Sequence, residues 1–300
     1  MNLLNRIIKK LVGRVEQYQR KAKRWIGIDI FCQYKQFKIA LPADHMLPVY
    51  QRVHPQYDRF LPHVAKYLPK HSTVIDVGAN CGDTLAAMFD SNSDLSYVCI
   101  EPDPEFYNYL QRNITAIQSV VPDASIKAVQ SLVGKEVTNV SLAGSGGTKK
   151  AVFNDARGSI AARQLDEIIS TEQIANVSLI KSDVDGFDYD VLRSGWSYIT
   201  NQKPCLFFEC QLDYEFQFQK YQALFKDLWG IGYTHWVIFD NFGATMLQTA
   251  SLNNITDLLS YVWQQNLLRS TRTVNYVDVL GFVDRNVDWF SSAINRFKYC

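Results

Sequence analysis

Residues 74–83 read VIDVGANCGD. Val74, Ile75 and Val77 surround one acid, Asp76; Gly78-Ala79-Asn80-Cys81-Gly82 follows, then Asp83. A short β-branched run that ends at glycine predicts a strand followed by a turn. Such a turn after a first strand brings a ligand close to the backbone at the N-terminus of the next helix. The dinucleotide fingerprint G-x-G-x-x-G fails, because Asn80 stands where the middle glycine belongs, and the GK[ST] of a phosphate loop is missing. A carboxylate aimed at the ligand repels phosphate and suits an ammonium.

Outward from this stretch, short apolar strands alternate with helical patterns, which predicts a parallel α/β sheet. The expected strands are 72–77, 96–102, 125–131, 177–184, 205–210, 233–240 and 275–283. Helices are expected from Asp83 to Phe89, Pro104 to Ile117, over RQLDEIIS, and at 189–195, 216–230 and Ile255 to Leu268. Residues 134–160, rich in Gly, Ser, Thr and Asn, read as loops or an edge hairpin. The expected architecture is a doubly wound Rossmann-like domain over 71–300, preceded by an arm and lead-in over 1–70.

Composition bounds the function. The 300 residues are 47% hydrophobic and 13% aromatic, enough for a sizeable core. No apolar run reaches the roughly 18 residues of a membrane span, and no secretory signal is expected. Six cysteines without a CxxC pair suggest free thiols and a cytoplasmic protein. Net charge is +1, and no basic stripe interleaved with aromatics marks the body, so nucleic acid is not an expected partner.

The second strand supplies the second clue. Glu101, in CIEPD, stands at its end, where a ribose diol needs a bidentate acceptor. A ligand with an ammonium, a ribose and no phosphate is S-adenosylmethionine. The candidate cofactor residues are Asp76 with Gly78, Asn80, Gly82, Asp83 and Thr84 of the turn. Glu101 and Pro102, Ser131 and Asp183 come from later strand ends. The plain alternative is a surface turn with an incidental aspartate.

VIDVGANCGDT, IEPDPEFYNYL, QLDEI and LIKSDVDGFDYDVLRSG resemble the blocks of the FkbM family of S-adenosylmethionine-dependent methyltransferases. The resemblance runs over about residues 53–210 and more loosely to Phe282. Two departures stand out: Ser182 replaces an apolar residue and Asp185 replaces the usual Glu. The resemblance implies a class I methyltransferase fold with an antiparallel edge, and methyl transfer to a hydroxyl, often of a sugar or polyketide.

Methyl transfer to an alcohol needs in-line alignment and a group to take the proton. Asp183 and Glu209, each ending a strand, are the candidate bases, with His235 third. Each has a quieter alternative: Asp183 as a ligand of the cofactor ammonium or a cap, Glu209 as a partner of Lys181 or another cation near the crevice, His235 as a packing residue. Asp185 and Asp188 read as caps of the following helix. The EF-hand pattern fails in DVDGFDYD, since Phe187 takes its fifth position. No metal is expected; magnesium between Asp183 and Glu209 is the alternative. An N-methyltransferase and a non-catalytic cofactor-binding scaffold are the competing functions.

Residues 1–24 carry eight Lys/Arg and one acid, Glu16. Leu4, Ile7, Ile8, Leu11, Val12 and Val15 fall at helical spacing. A basic amphipathic helix of this kind suits peripheral contact with an anionic membrane, or packing on the body.

Overall fold

A computed structural model of the chain describes residues 18–20, 22–135, 140–143, 150–153, 162–268 and 273–297. The whole apolar stripe from Leu4 to Val15 and most of the 134–160 segment therefore lie outside the described residues.

The chain opens with a hairpin of β1 (Asp29–Gln33) and β2 (Lys38–Pro42), then α1 (Leu47–Val53) and α2 (Phe60–Ala65). The opening stretch forms β3 (Thr73–Val77) and α3 (Asp83–Ser91); β4 (Ser96–Ile100), α4 (Pro104–Gln118) and β5 (Ile126–Val129) follow. The short β6 (Leu132–Val133) pairs with β9 (Ala162–Arg163), and β7 (Val140–Ala143) with β8 (Lys150–Phe153). Next come α5 (Leu165–Thr171), β10 (Val177–Ser182), α6 (Asp188–Ser194), α7 (Trp196–Gln202) and β11 (Cys205–Gln211). The last third holds α8 (Glu215–Gly230), β12 (Tyr233–Asp240), β13 (Thr245–Thr249), α9 (Leu252–Leu268), β14 (Tyr276–Val283) and α10 (Val287–Phe297).

Eight strands form one sheet in the order β13-β12-β14-β11-β10-β3-β4-β5. The run β11-β10-β3-β4-β5 is parallel; β14 lies antiparallel between β11 and β12, and β13 closes the edge as a hairpin strand. Strand order reverses at β3/β10, where ligands bind in open α/β sheets. Alternation along each strand feeds two cores. Val74, Cys99, Leu179 and Leu280 face α2, α3, α4 and α10; Ile75, Val98, Ile180 and Phe208 face α5 through α9.

Local chemistry fixes the helix that frames the site. Asp103 caps α4 by accepting from the N–H groups of Glu105 and Phe106, and Pro104 fills the first turn, where its missing N–H costs nothing. Phe106, Leu110, Ile114 and Ile117 then share the buried face. Buried Asn113 on the same face donates to the carbonyls of Ala40 (2.9 Å) and Cys81 (2.7 Å) and accepts from Ala40 N–H. One side chain thus ties the glycine turn to β2.

The lead-in shares the core of the sheet. Phe37, Ile39, Leu41, Phe60 and Val64 are buried with Leu85 and Phe290. Phe60 packs on Phe239 at 4.3 Å and on Phe297 at 5.1 Å between ring centroids. The 241–243 segment is a turn. Asp240 accepts from the N–H groups of Phe242 and Ala244, and Phe242 stacks on His54 at 3.9 Å. A Cβ on Gly243 would lie 2.4 Å from the Gln56 carbonyl, so the turn closes tightly over the 54–59 loop.

Candidate active site

A cavity of about 410 Å³ opens at the carboxyl edge of β3, β4, β10 and β11. Sheet order divides it. Gly78, Glu101 and Ser131 follow β3, β4 and β5 and line one half; Asp183, Glu209 and Asp278 come from β10, β11 and β14 and line the other.

In the first half the backbone turns sharply. Gly78 (φ +77°), Asn80 (φ +49°) and Gly82 (φ +79°) are left-handed. A Cβ on Gly78 would stand 2.0 Å from the Asp183 carbonyl oxygen, so only glycine lets β3 and β10 close at this point. Glu101 is buried, and its two oxygens accept from Asn80 N–H (2.8 Å) and Asp103 N–H (2.8 Å). Burial pushes its carboxyl up to about 7, against the two N–H groups. Asn80, Asp83, Thr84, Pro102 and Ser131 also line this half.

Two expected cofactor residues lie elsewhere. Asp76 is completely buried inside β3 and does not line the cavity. Its partner is Lys181, directly opposite on β10, whose ammonium stands 2.9 Å from one Asp76 oxygen. The register that puts Lys181 beside Asp76 takes the acid away from any ligand. Gly82 caps α3, and its position packs on Leu110.

Lys181 itself reaches the cavity. It donates to the Gly78 carbonyl at 3.0 Å and stands 3.6 Å from Asp183. Burial opposes its charge, but Asp76 and Asp183 outweigh burial and hold the ammonium protonated. The sequence reading offers Lys181 to Glu209; the structure gives it to Asp76 and Asp183.

Asp183 follows β10, with a side chain 54% exposed that opens into the cavity. The loop after it is held from below by Asp188, which accepts from the Ser182 hydroxyl (2.6 Å), Val184 N–H (3.1 Å) and Gly186 N–H (3.3 Å). Asp188 is thus the anchor of the 182–186 loop. Asp185 (φ +55°) lines the cavity and Asp188 does not.

Glu209 and Asp278 are direct partners across β11 and β14, and both line the cavity. Glu209 is 7% exposed, and its Oε1 is buried without a hydrogen-bond partner. Burial, then the neighbouring carboxylates, pushes Glu209 well above the usual range; the same holds for Asp278. The wall opposite comes from the lead-in, with Tyr50, Tyr57 and Asp58. Asp58 stays accessible, yet loss of bulk water around it, then Asp83 and Asp183, raises its carboxyl to about 7.

His235 lies away from the site. On β12 it pairs with Phe282, four residues along from the Phe239–Asp278 pair, roughly 13 Å by strand rise. Its ring stacks on Phe282, and Nε2 lies 2.8 Å from an Asp284 oxygen. The expectation of a catalytic role there is corrected by register: His235 sits at the opposite end of its strand.

Sequence reasoning missed Tyr57, Asp58, Tyr276 and Asp278. Asp278 carries a usable signal, as an acid inside the apolar run YVDVLGFV just as Asp76 lies inside TVIDV. Among the described residues, no group of three or more His, Cys, Asp or Glu is placed to hold a metal ion.

The strand order, with one antiparallel strand inserted beside its edge, and the glycine turn opening on a cavity define a class I, Rossmann-like methyltransferase fold. A model of the methyltransferase FkbM domain matches residues 76–237, more than half of the chain, and the chain belongs to this family. No curated protein matches the sequence. Among solved structures, the chain is similar to methyltransferase FkbM from Methylobacillus flagellatus KT, at 13% identity over 79% of this chain and 59% of that one, with a TM-score of 0.39. It is also similar to the plantazolicin methyltransferase BpumL in complex with SAH (9% identity, 92% and 99% covered, TM-score 0.39). A third is the METTL16 methyltransferase domain (10% identity, 82% and 73% covered, TM-score 0.44). The chain thus spans 59% of the length of the first of these.

Proposed function

We propose that this protein transfers the methyl group of S-adenosylmethionine to a hydroxyl of a small-molecule or glycan acceptor. The observation that carries this reading is the divided cavity: an anchored, buried carboxylate on one side of the glycine turn and an open carboxylate, Asp183, on the other. Glu101 fits a ribose diol, because each oxygen spends one lone pair on a backbone N–H and keeps another for a hydroxyl. Gly78 keeps the strand end flush, as the 2.0 Å approach of Asp183 O demands. Lys181 is positioned for the carboxylate of the methionine moiety, and Asp183 for the acceptor. Bound there, the cofactor supplies a methyl group on a sulfonium.

The chain's own residues then do two things. They hold the cofactor and the acceptor in line, and they take a proton. The bound cofactor would supply the methyl group to the acceptor oxygen, and Asp183 would take the hydroxyl proton. Burial, then its acidic neighbours, raises the Glu209 carboxyl, so the open Asp183 is the more available base in the unliganded protein. The test is methyl transfer from labelled S-adenosylmethionine into pools of sugar nucleotides and lipid-linked glycans, with wild-type protein and Asp183→Asn.

Peripheral contact with an anionic membrane through residues 1–24 belongs to the same reading. Its support is the net basic charge of that segment and the apolar side chains that continue it: Trp25 is 89% exposed, and Tyr18, Ile26, Ile28 and Phe31 are exposed too. Arg24 meets Asp44 and Glu105, which joins the arm to the body. Among the described residues no helix is long and apolar enough to cross a membrane. An acceptor carried on a lipid suits this arrangement.

A further inference from the structure

We infer that the acceptor carries a protonated amine near the hydroxyl to be methylated, and that Glu209 and Asp278, with Asp58 and the tyrosines around them, receive it. The inference rests on the methyl-transfer reading and adds the chemical class of the substrate.

Four observations carry it. Glu209 and Asp278 are paired across antiparallel strands, so their side chains leave the same face of the sheet side by side. Like charges directly opposite repel, and such a pair needs a proton or a cation between its members. Glu209 Oε1 is buried without a hydrogen-bond partner, and Glu209 lines the cavity, so the atom is open to a donor carried by a ligand. Lys181 is the one lysine or arginine among the cavity-lining residues, and Asp76, Gly78 and Asp183 already engage it. Finally, Tyr50, Tyr57 and Tyr276 line the same half, and aromatic rings beside carboxylates favour an ammonium.

The charge balance points the same way. A sulfonium, an ammonium and a carboxylate leave the cofactor with one net positive charge. That charge lies in the first half of the cavity, and Lys181 already faces Asp183. Beside Glu209 and Asp278 the cavity lining offers no lysine or arginine other than Lys181. A divalent metal is the other cation to weigh, but among the described residues no cluster is arranged to ligate one. An ammonium held by carboxylates has no free lone pair, which leaves the neighbouring hydroxyl as the nucleophile.

The test uses the full-length protein saturated with S-adenosylhomocysteine, titrated by calorimetry at pH 7. The probes are ethanolamine, glucosamine and galactosamine, each beside its N-acetylated counterpart. At least one amine should bind ten times or more tighter than its acetylated form. Asp278→Asn and Glu209→Gln should each erase that preference while keeping wild-type affinity for S-adenosylhomocysteine, which reports an intact fold. Equal binding of amine and amide, no saturable binding of any amine, or binding that requires added magnesium overturns the inference. Failure of S-adenosylhomocysteine itself to bind overturns the methyl-transfer reading, and the inference with it.

Discussion

The ammonium of Lys181 stands 2.9 Å from a carboxylate oxygen of Asp76, with both side chains buried on adjacent strands. An acid in β3 is thereby neutralised by a lysine in β10. The same lysine faces Asp183, so the pair connects the core to the reactive edge of the sheet.

Breaking this pair leaves a buried charge uncompensated. Lys181→Met should destabilise the fold by about 3–5 kcal/mol. The double variant Asp76→Asn/Lys181→Met should recover more than half of that loss. Urea unfolding of the two variants checks it; a double variant no more stable than the single one would mean that the pair is not coupled.

Gly78 should tolerate no side chain. Gly78→Ala combines a strained positive φ with a Cβ 2.0 Å from the Asp183 carbonyl oxygen. Strain and overpacking together should cost on the order of 3 kcal/mol and weaken S-adenosylhomocysteine binding. Thermal unfolding and calorimetry on one sample read both effects. Wild-type values in both would show that β3 and β10 do not close on Gly78 as described.

Asp183→Asn should lower turnover by about a hundredfold or more while sparing cofactor affinity. Stability should be unchanged, because the side chain opens into the cavity. His235→Ala should leave turnover at the wild-type level, since its ring stacks on Phe282 at the far end of β12. Full turnover by Asp183→Asn would move the base elsewhere, first to Glu209.

Glu101 links pH to both stability and binding. Its folded pKa, about 7, lies above the ordinary value of 4.5 because the carboxyl is buried. The folded state therefore holds the proton more tightly. The stabilisation from this group is complete below about 4.5 and is lost as pH rises through 7. Ligand affinity should move the other way, since the ionised carboxylate accepts from both ribose hydroxyls. S-adenosylhomocysteine affinity should rise between pH 6 and 8, and Glu101→Gln should flatten that rise. An equally steep profile in the variant would assign the titration to another group.

Membrane contact is tested by co-sedimentation with anionic and neutral vesicles at two salt concentrations. Binding should need anionic lipid, fall with salt, and be lost when residues 1–24 are deleted. Full-length protein that stays in the supernatant with anionic vesicles at low salt would return the arm to a packing role.

What the sequence reveals follows from the range of the interactions. The strands at Thr73–Val77, Ser96–Ile100 and Tyr233–Asp240 are legible from local apolar runs, and Gly78 and Glu101 from their places just after them. Asp76 is misread because its partner lies 105 residues away, and only the β3/β10 register brings Lys181 beside it. The wall of Tyr57 and Asp58 is hidden for the same reason. Its position depends on Phe60 reaching Phe239 and on Gly243 closing over Gln56, contacts that leave no periodic mark in a six-residue helix and its loop. His235 is misplaced by direction along the strand, which composition alone does not fix.

The most direct measurement is the equilibrium binding of S-adenosylhomocysteine to the wild-type chain and to Glu101→Ala. The account predicts saturable binding at one site per chain, weakened in the variant by roughly 1.5–3 kcal/mol, the scale of hydrogen bonds to a charged group. No binding by the wild-type chain, or equal affinity in a folded Glu101→Ala variant, would contradict it.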